Sequence, residues 1–297
     1  MKTTKLLIAS FLFLLIIISC QKESPQILPA KGLMQFNAYF SPLVQTKATT
    51  PFPSGNKATI IAYATGSNLS TASPSQGTPI EAIAVAAGEL TTSTPLYLPK
   101  GSYDFYSVSA NNSNSPGISF SGGTSAQLSN GTDYLWAKVS SVNEGGTVNF
   151  NFSHKAVGIE VNITPGSGLS GLNVTSIKIT PSKADASSVM NLATGSIGTA
   201  SSTEALTSMN VTANKGTIIM LPLSSQSIGI EVTIDATIGN TPVTSKVYTA
   251  EIPSQSYDSG TYYTLNLSVN ATSLAFNGAQ ITDWTTQTIS GVTLTEQ

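Results

Sequence analysis

The chain has 297 residues, of which 40% are hydrophobic and only 9% are charged, with a formal net charge of −2 at pH 7. This composition is too apolar for a disordered protein, which combines low hydrophobicity with high charge. All 13 basic residues are lysines and they are scattered, so the sequence lacks the basic cluster with which proteins neutralise nucleic-acid phosphates. The length is sufficient for two domains of ordinary size.

The first 20 residues have the pattern of a secretory signal. Two lysines precede an apolar run over residues 6–18, interrupted only by Ser10, and Cys20 follows shortly afterwards. The run is shorter than the about 20 apolar residues that a membrane span needs, whereas its charged start and short apolar core are typical of secretion. Cys20 is the single cysteine, so an intramolecular disulfide is excluded. The ending ISC resembles the lipobox of bacterial lipoproteins, and we expect Cys20 to be acylated rather than to remain a free thiol.

Residues 33–48, with the sequence LMQFNAYFSPLVQTKA, are the most informative stretch of the chain. Met34, Phe36, Ala38 and Phe40 alternate with more polar residues, and this period of two predicts a strand with one buried face. The passage behind it is polar, contains Lys47 and leads into prolines, which is typical of an exposed loop open to proteases. Two interpretations stay open: an ordinary first strand with its loop, or a strand that is cut off and replaced.

The remaining sequence consists of short alternating runs that are closed by turn residues, with no convincing helical period. Residues 80–90 fit either a pair of strands or a short helix. The other predicted strands cover residues 58–64, 102–110, 133–139, 148–152, 156–164, 174–180, 217–223, 228–238, 245–252 and 262–269. Many short strands separated by Gly, Ser and Thr loops predict an all-β protein built from β-sandwiches. We place the domain boundary between residues 152 and 153.

The end of the chain, residues 281–297, reads as an extended tail. Its apolar residues are Ile281, Trp284, Ile289, Val292 and Leu294. They are too widely spaced to form a compact hairpin core, and Ile289 is out of phase with the last two, a slip that a bulge at Gly291 would repair. Such a tail would leave an unprotected strand edge on a monomer, so we expect it to complete a sheet of another chain.

No motif in the sequence predicts an enzyme. Gly166, Gly168 and Gly171 have the spacing of a dinucleotide-binding loop, but a strand rather than a helix follows them, so we interpret them as a hairpin loop. Ser153 beside His154, the single histidine, suggests a nucleophile and its base, yet no orienting group or oxyanion hole is recognisable. We therefore interpret His154 as a structural residue at a strand start. One histidine and one cysteine cannot furnish the usual zinc ligands, and we expect no metal and no cofactor.

With these segments in this order, the chain resembles the fimbrillins, the pilin family of the Bacteroidetes, from its first residue to its last. The segments are the signal ending ISC, QFNAYF with TKA behind it, ATIIAYATGS, SYDFYSVSANN, NFSHKAVGIEV, and TYYTLNLSV followed by ITDW. The resemblance implies two tandem transthyretin-like Greek-key β-sandwich domains, at residues 48–152 and 153–297. A signal peptide, residues 1–19, and a propeptide with a removable first strand, residues 20–47, would precede them.

The resemblance also implies how the chain matures. The lipid on Cys20 would anchor it to the outer membrane, and a trypsin-like protease would cut between Lys47 and Ala48. The family's cleavage residue is often arginine, whereas this chain offers only lysine. An anchor subunit that is never cut is therefore an alternative.

Loss of the first strand would create a groove in place of Met34, Phe36 and Phe40. Another chain can fill such a groove by adding a strand to the exposed edge. The donor would be the tail of a neighbouring subunit, through the apolar residues Ile289, Val292 and Leu294. The resulting homo- or hetero-polymer would form a cell-surface fimbria that serves adhesion.

A surface lipoprotein that binds glycans or nutrients is the competing hypothesis. It would require several exposed aromatic side chains in one cleft. The two tryptophans do not suggest such a cleft, because Trp136 lies in a predicted strand and Trp284 lies in the tail.

Overall fold

A computed structural model describes residues 31–40, 50–283 and 288–289. These residues are almost entirely strands and loops, with one 3₁₀ turn at Ala86–Gly88, so the all-β prediction is confirmed. No helix in the described part of the chain is long and apolar enough to cross a membrane. The described residues, from Lys31 onward, belong to one compact unit.

The strands of the first half are mostly short. They are β1 Lys31–Leu33, β2 Gln35–Phe40, β3 Thr50–Pro51, β4 Lys57–Ala64, β5 Ile80–Ala84, β6 Glu89–Thr92, β7 Tyr97–Pro99, β8 Ser102–Ser109, β9 Phe120–Ser121, β10 Thr124–Ser125, β11 Leu135–Asn143 and β12 Thr147–His154. The ambiguous residues 80–90 are a strand pair, β5 and β6, joined by the 3₁₀ turn.

Seven of these strands form a sheet that closes on itself. Their order is β12-β11-β8-β4-β5-β6-β2, and β2 pairs back to β12, while β3 is added beside β2. The finer prediction of a transthyretin-like sandwich stays a prediction for the first half, whose seven strands are joined into a ring by the pairing of β2 with β12. Closure satisfies the strand edges that an open sheet would expose. Its interior holds an aromatic core that includes Phe36, Phe105 and Phe150.

The strands of the second half are longer. They are β13 Val157–Pro165, β14 Leu169–Ile179, β15 Thr207–Ser208, β16 Asn210–Thr212, β17 Lys215–Met220, β18 Leu223–Ile238, β19 Thr241–Tyr257, β20 Thr261–Val269, β21 Leu274–Asp283 and β22 Thr288–Ile289. They form a six-stranded sheet, β16-β17-β13-β20-β21-β22, and a four-stranded sheet, β15-β14-β18-β19.

The two sheets of the second half share one aliphatic core. Ile159 and Leu265 from the larger sheet pack in the same cluster as Ile177 and Val232 from the smaller one. The glycine-containing turn at residues 166–168 joins β13 to β14, which belong to different sheets. The interpretation of this turn as a hairpin loop is therefore wrong, since its flanking strands are not paired with each other.

A third core cluster joins the two halves. It combines Tyr106 and Tyr134 of the first half with Met190 and Leu192, which lie in the long connection between β14 and β15. Within the described residues, the chain leaves the closed sheet at the end of β12 and enters the six-stranded sheet at the start of β13. The division into two domains at residues 152 and 153 stays a prediction.

Candidate strand-exchange site

The first strand of the closed sheet, β2, is the strand that completes the ring. It runs parallel to β12 through six residue pairs, from Gln35 opposite Thr147 to Phe40 opposite Phe152. On its other side, β2 shares two antiparallel residue pairs with β6, at Phe36 and Asn37, and two with β3, at Tyr39 and Phe40. The strand is therefore held by one continuous ladder on one side and by two short pairings on the other. Without it, the ring would open at the edges of β12 and β6.

One face of this strand is buried, as its sequence predicts. Met34, just before β2, is 4% exposed, Phe36 is 3% exposed and Ala38 is fully buried. The ring of Phe36 makes an edge contact with Phe105 at a centroid distance of 5.8 Å and is stacked on Phe150 at 6.3 Å. Alternating side chains point to opposite faces of a strand, so these three residues share the interior of the ring.

Phe40 lies at the end of the strand and is only half-buried. Its ring is stacked on the imidazole of His154, with 5.5 Å between the centroids and 2° between the planes. It also makes an edge contact with Phe52, which is 1% exposed and whose backbone N–H donates to the Ala38 carbonyl. Phe40 thus closes the end of the core behind Ala38 rather than filling an interior position.

Gly88, between β5 and β6, allows the chain to approach β2 closely. Its φ is +84°, a conformation that other residues rarely adopt, and a Cβ at this position would lie 2.5 Å from the Ala38 carbonyl oxygen. The short ladder between β2 and β6 therefore depends on a residue without a side chain.

A second pairing, which the sequence analysis missed, extends the site before β2. Strand β1 pairs with β7 in antiparallel register, with Leu33 opposite Tyr97, and the Met34 N–H donates to the Leu96 carbonyl. The sequence KGL is too short to show a strand period, so no signal could have revealed it. A segment that left this site would comprise residues 31–40 and would uncover β7 as well as β6 and β12.

The turn between β7 and β8 is fixed by a hydrogen bond to a carboxylate. The Gly101 N–H donates to the Glu144 carboxylate at 2.9 Å, and this bond lowers the pKa of Glu144. Tyr103, whose hydroxyl donates to the Pro99 carbonyl at 2.9 Å, has a raised pKa because it is buried and because Glu144 is near. Both side chains stabilise the end of β7, the partner of β1.

His154 lies at the end of β12 rather than at a strand start, and it has a carboxylate partner. Its Nδ1 is 2.8 Å and 3.0 Å from the two carboxylate oxygens of Asp133. The adjacent Ser153 donates instead to the Trp136 carbonyl at 3.2 Å, because consecutive residues of a strand face opposite sides. The Ser–His pair that the sequence suggested is therefore not assembled, although the orienting carboxylate is present. The imidazole packs against Phe40 and supports the end of the first strand.

Metal chemistry has no candidate among the described residues. Within that part of the chain, no group of three or more His, Cys, Asp or Glu side chains is placed to hold an ion.

Comparison with known proteins decides the family. A family model described as fimbrillin-like matches residues 46–284 of the chain. The chain belongs to the fimbrillin-like family. Membership confirms the resemblance seen in the sequence and supports a structural, non-enzymatic role as a fimbrial subunit at the cell surface.

Solved structures show that the fold is shared with proteins of the Bacteroidales. A candidate cell adhesion protein from Bacteroides ovatus has 17% identity and a TM-score of 0.64, with 87% of this chain and 99% of that chain covered. Another from Bacteroides uniformis has 15% identity and a TM-score of 0.62, with 86% and 98% covered. The tip fimbrial protein Mfa3 from Porphyromonas gingivalis has 9% identity and a TM-score of 0.50, with 86% and 100% covered. These identities are low, so the likeness concerns the fold. No curated protein matches the chain.

The structure of this fimbrillin-like protein describes some of the predicted site residues and not others. Met34, Phe36 and Phe40 lie together along the first strand. Ile289, a predicted donor residue, lies in β22 and pairs with Ala279 of β21, at the edge of the six-stranded sheet. The positions predicted for acylation (Cys20), for cleavage (Lys47 and Ala48) and for the rest of the donor (Val292 and Leu294) lie outside the described residues.

Trp136, one of the two tryptophans, does not offer an exposed platform for sugars. Its indole N–H donates to the Leu192 carbonyl at 2.9 Å, and the Lys155 ammonium lies 5.1 Å from the ring centroid. A Cβ on Gly195 would lie 2.4 Å from the ring, so the backbone also packs closely against it. Burial lowers the pKa of Lys155 in this packed environment. Trp284, the second tryptophan, lies outside the described residues.

Proposed function

We propose that this fimbrillin-like protein is a subunit of a cell-surface fimbria that is assembled by strand exchange and serves adhesion. It is exported as a lipoprotein acylated at Cys20 and is cut by a trypsin-like protease between Lys47 and Ala48. Its two halves correspond, in this proposal, to two transthyretin-like Greek-key domains. Other fimbrial subunits are its partners.

The position of β2 as the strand that closes the ring is the observation that carries this proposal. The strand contributes Met34, Phe36 and Ala38 to the core, yet it shares only two residue pairs with β6. In the sequence, the chain then runs towards the predicted cleavage site at Lys47. Removal of residues 20–47 would open the ring and leave two unpaired edges above apolar pockets. An opened sheet of this kind is a template for an added strand.

The energy available to an incoming strand is substantial. The largest pockets are those of Met34 and Phe36, and each buried side chain of this size contributes about 1.5 to 3 kcal/mol. A strand in the place of β2 would also regain the six-residue ladder on β12. Ordering of the strand and loss of its free motion reduce the gain. The combined ladder and pockets favour a long-lived contact.

The tail is proposed as the donor strand, through Ile289, Val292 and Leu294. Of this region, the structure describes Thr288 and Ile289, which form β22 and pair with Gln280 and Ala279 of β21. By contrast, β21 is paired with β20 along its whole length, from Leu274 to Asp283. The donor segment in this proposal therefore begins after Asp283.

Gel migration of the surface fraction with and without boiling tests the proposal, since strand-exchanged polymers withstand detergent and dissociate on heating. Deletion of residues 285–297 should leave an exported, folded monomer that forms no ladder. Val292→Asp combined with Leu294→Asp should have the same effect, because a charge cannot enter an apolar pocket without a partner.

The matched control carries the same charges on the opposite face of the donor strand, as Thr293→Asp with Thr295→Asp. This variant should retain its ladder, since alternate residues point away from the groove. Heat-sensitive ladders from the deletion variant would contradict the assignment of the tail as the donor.

A further inference from the structure

The four side chains that the first strand turns towards the core differ in size. Met34 and Phe36 fill two large interior positions, whereas Ala38, which is fully buried, contributes a single methyl group. Phe40 follows at the half-buried end of the strand. We call the sites of these four side chains the first, second, third and fourth pockets. A strand that replaces β2 therefore has to present two large apolar side chains and then a small one.

The third pocket is closed by aromatic rings that do not belong to the first strand. Ala38 lies opposite Phe150 in the register of β2 with β12, and Phe150 is fully buried. The ring of Phe150 is stacked on that of Phe152 at 6.4 Å, and the ring of Phe152 lies 5.0 Å from that of Phe52. Protein interiors are close-packed, so a larger side chain in this pocket would be destabilising.

The tail has one pair of apolar side chains with the spacing that the first two pockets require. Residues 285–297 contain three large apolar residues, Ile289, Val292 and Leu294. Only Val292 and Leu294 are two residues apart, so only these two share one face of a strand. They can enter the first and second pockets with the tail running in either of two directions.

The small third pocket distinguishes the two directions. If the tail ran parallel to β12, as β2 does, Val292 and Leu294 would fill the first two pockets and Glu296 would enter the third. A carboxylate without a partner is very costly to bury. In the opposite direction, Leu294 enters the first pocket, Val292 the second and the small Ser290 the third. Thr288 then reaches the half-buried fourth pocket. A shift by two residues would instead place Leu294 or Val292 in the third pocket.

The main-chain pairing also favours the opposite direction. The ladder of β2 with β12 is parallel and has six residue pairs. A reversed strand would make this ladder antiparallel, and antiparallel pairing is slightly more stable per residue. Only the pairings with β6 and β3, of two residue pairs each, would change from antiparallel to parallel. The longer ladder therefore gains from the reversal.

We propose that the donor strand comes from a second copy of this chain and runs antiparallel to β12, opposite in direction to β2. Leu294, Val292 and Ser290 occupy the first, second and third pockets, and Ile289 lies on the outward face. This inference rests on the proposed strand exchange and adds the direction and the register of the donor. The third pocket selects donors that carry a small residue two positions before the apolar pair.

Engineered disulfides between neighbouring subunits test the direction. Outward side chains that are paired between β2 and β12 already meet, since the Asn37 amide N–H donates to the Asn149 side-chain carbonyl at 2.9 Å. The proposed register places Ile289 opposite Asn151, whereas the parallel register places Thr295 opposite Asn149. Directly paired residues of neighbouring strands are close enough for a disulfide.

Ile289→Cys combined with Asn151→Cys should give a ladder that withstands boiling and collapses only when a reductant is added. Thr295→Cys combined with Asn149→Cys is the matched control, and its ladder should dissociate on boiling without a reductant. Cys20, the single natural cysteine, is removed with the propeptide in the proposed maturation, so it does not compete for these bonds.

A second set of variants tests the size of the third pocket. Ser290→Leu should abolish the ladder, because leucine would have to enter the closed pocket, whereas Ser290→Ala should retain it. Thr288→Leu places the same side chain in the half-buried fourth pocket and should also retain the ladder.

Three outcomes would overturn the proposed direction while strand exchange itself stands. They are a heat-resistant ladder from the control pair of cysteines, a ladder from the first pair that still dissociates on boiling without a reductant, and a full ladder from Ser290→Leu. If the wild type forms no heat-sensitive ladder at all, the proposed strand exchange fails and the direction fails with it. The two failures are therefore distinguishable.

Discussion

Replacement of Phe36 by alanine should destabilise the uncut precursor and leave the assembled polymer unaffected. In the precursor, Phe36 is 3% exposed and contacts the rings of Phe105 and Phe150. Truncation of a buried phenylalanine to alanine costs about 3 to 5 kcal/mol, because transfer energy is lost and a cavity remains. For a protein of this size, that loss lowers the thermal midpoint by on the order of 10 °C.

The polymer should respond differently if it matures as proposed. Cleavage between Lys47 and Ala48 would then remove Phe36 with the propeptide, and a donor strand would take its place. The temperature at which the ladder dissociates on a gel should therefore equal that of the wild type. This temperature, rather than the amount of polymer, is the quantity to measure, since a weaker precursor will also lower the yield.

Phe150→Ala is the matched control for this prediction. Phe150 is fully buried, belongs to the same aromatic cluster and lies in β12, which remains after cleavage. Its truncation should lower the midpoint of the precursor and also the dissociation temperature of the ladder. If Phe36→Ala polymers dissociate at the lowered temperature of Phe150→Ala polymers, the first strand is still present and the proposed exchange is refuted.

Three other variants test separate steps. Cys20→Ala should abolish incorporation of labelled fatty acid, and unchanged labelling would exclude acylation at this position. Lys47→Gln should block polymer formation while the monomer stays folded. N-terminal analysis of wild-type polymers should find Ala48 as the first residue. If acylated Cys20 is the first residue throughout the polymers, the protein is instead an uncut anchor subunit. Asn130→Ala removes three hydrogen bonds from the joint between the halves and should cost about 1 to 3 kcal/mol in urea unfolding, whereas exposed Asn210→Ala should cost little.

The sequence alone determined the local character of the molecule. Met34, Phe36 and Ala38 were predicted to share a buried face and they do, because the alternation of side chains is a property of any single strand. The all-β class and the family followed in the same way, from short segments and their order. The buried face of the first strand, which is one part of the candidate site, could therefore be predicted from the sequence.

Only the tertiary structure decided which strands meet. The closure of the first sheet depends on parallel pairing between β2 and β12, which are more than 100 residues apart. The pairing of β1 with β7 and the contact of His154 with Asp133 are also non-local. A strand period states which face is buried but not which strand lies alongside, and three residues such as KGL carry no period at all.

The same limit explains the turn at residues 166–168. The glycine-containing turn looked like a hairpin loop because two strand patterns flank it, yet packing assigned those strands to different sheets. Local patterns predict each strand by itself, whereas the sheet partners and the clefts between elements arise from contacts between distant segments.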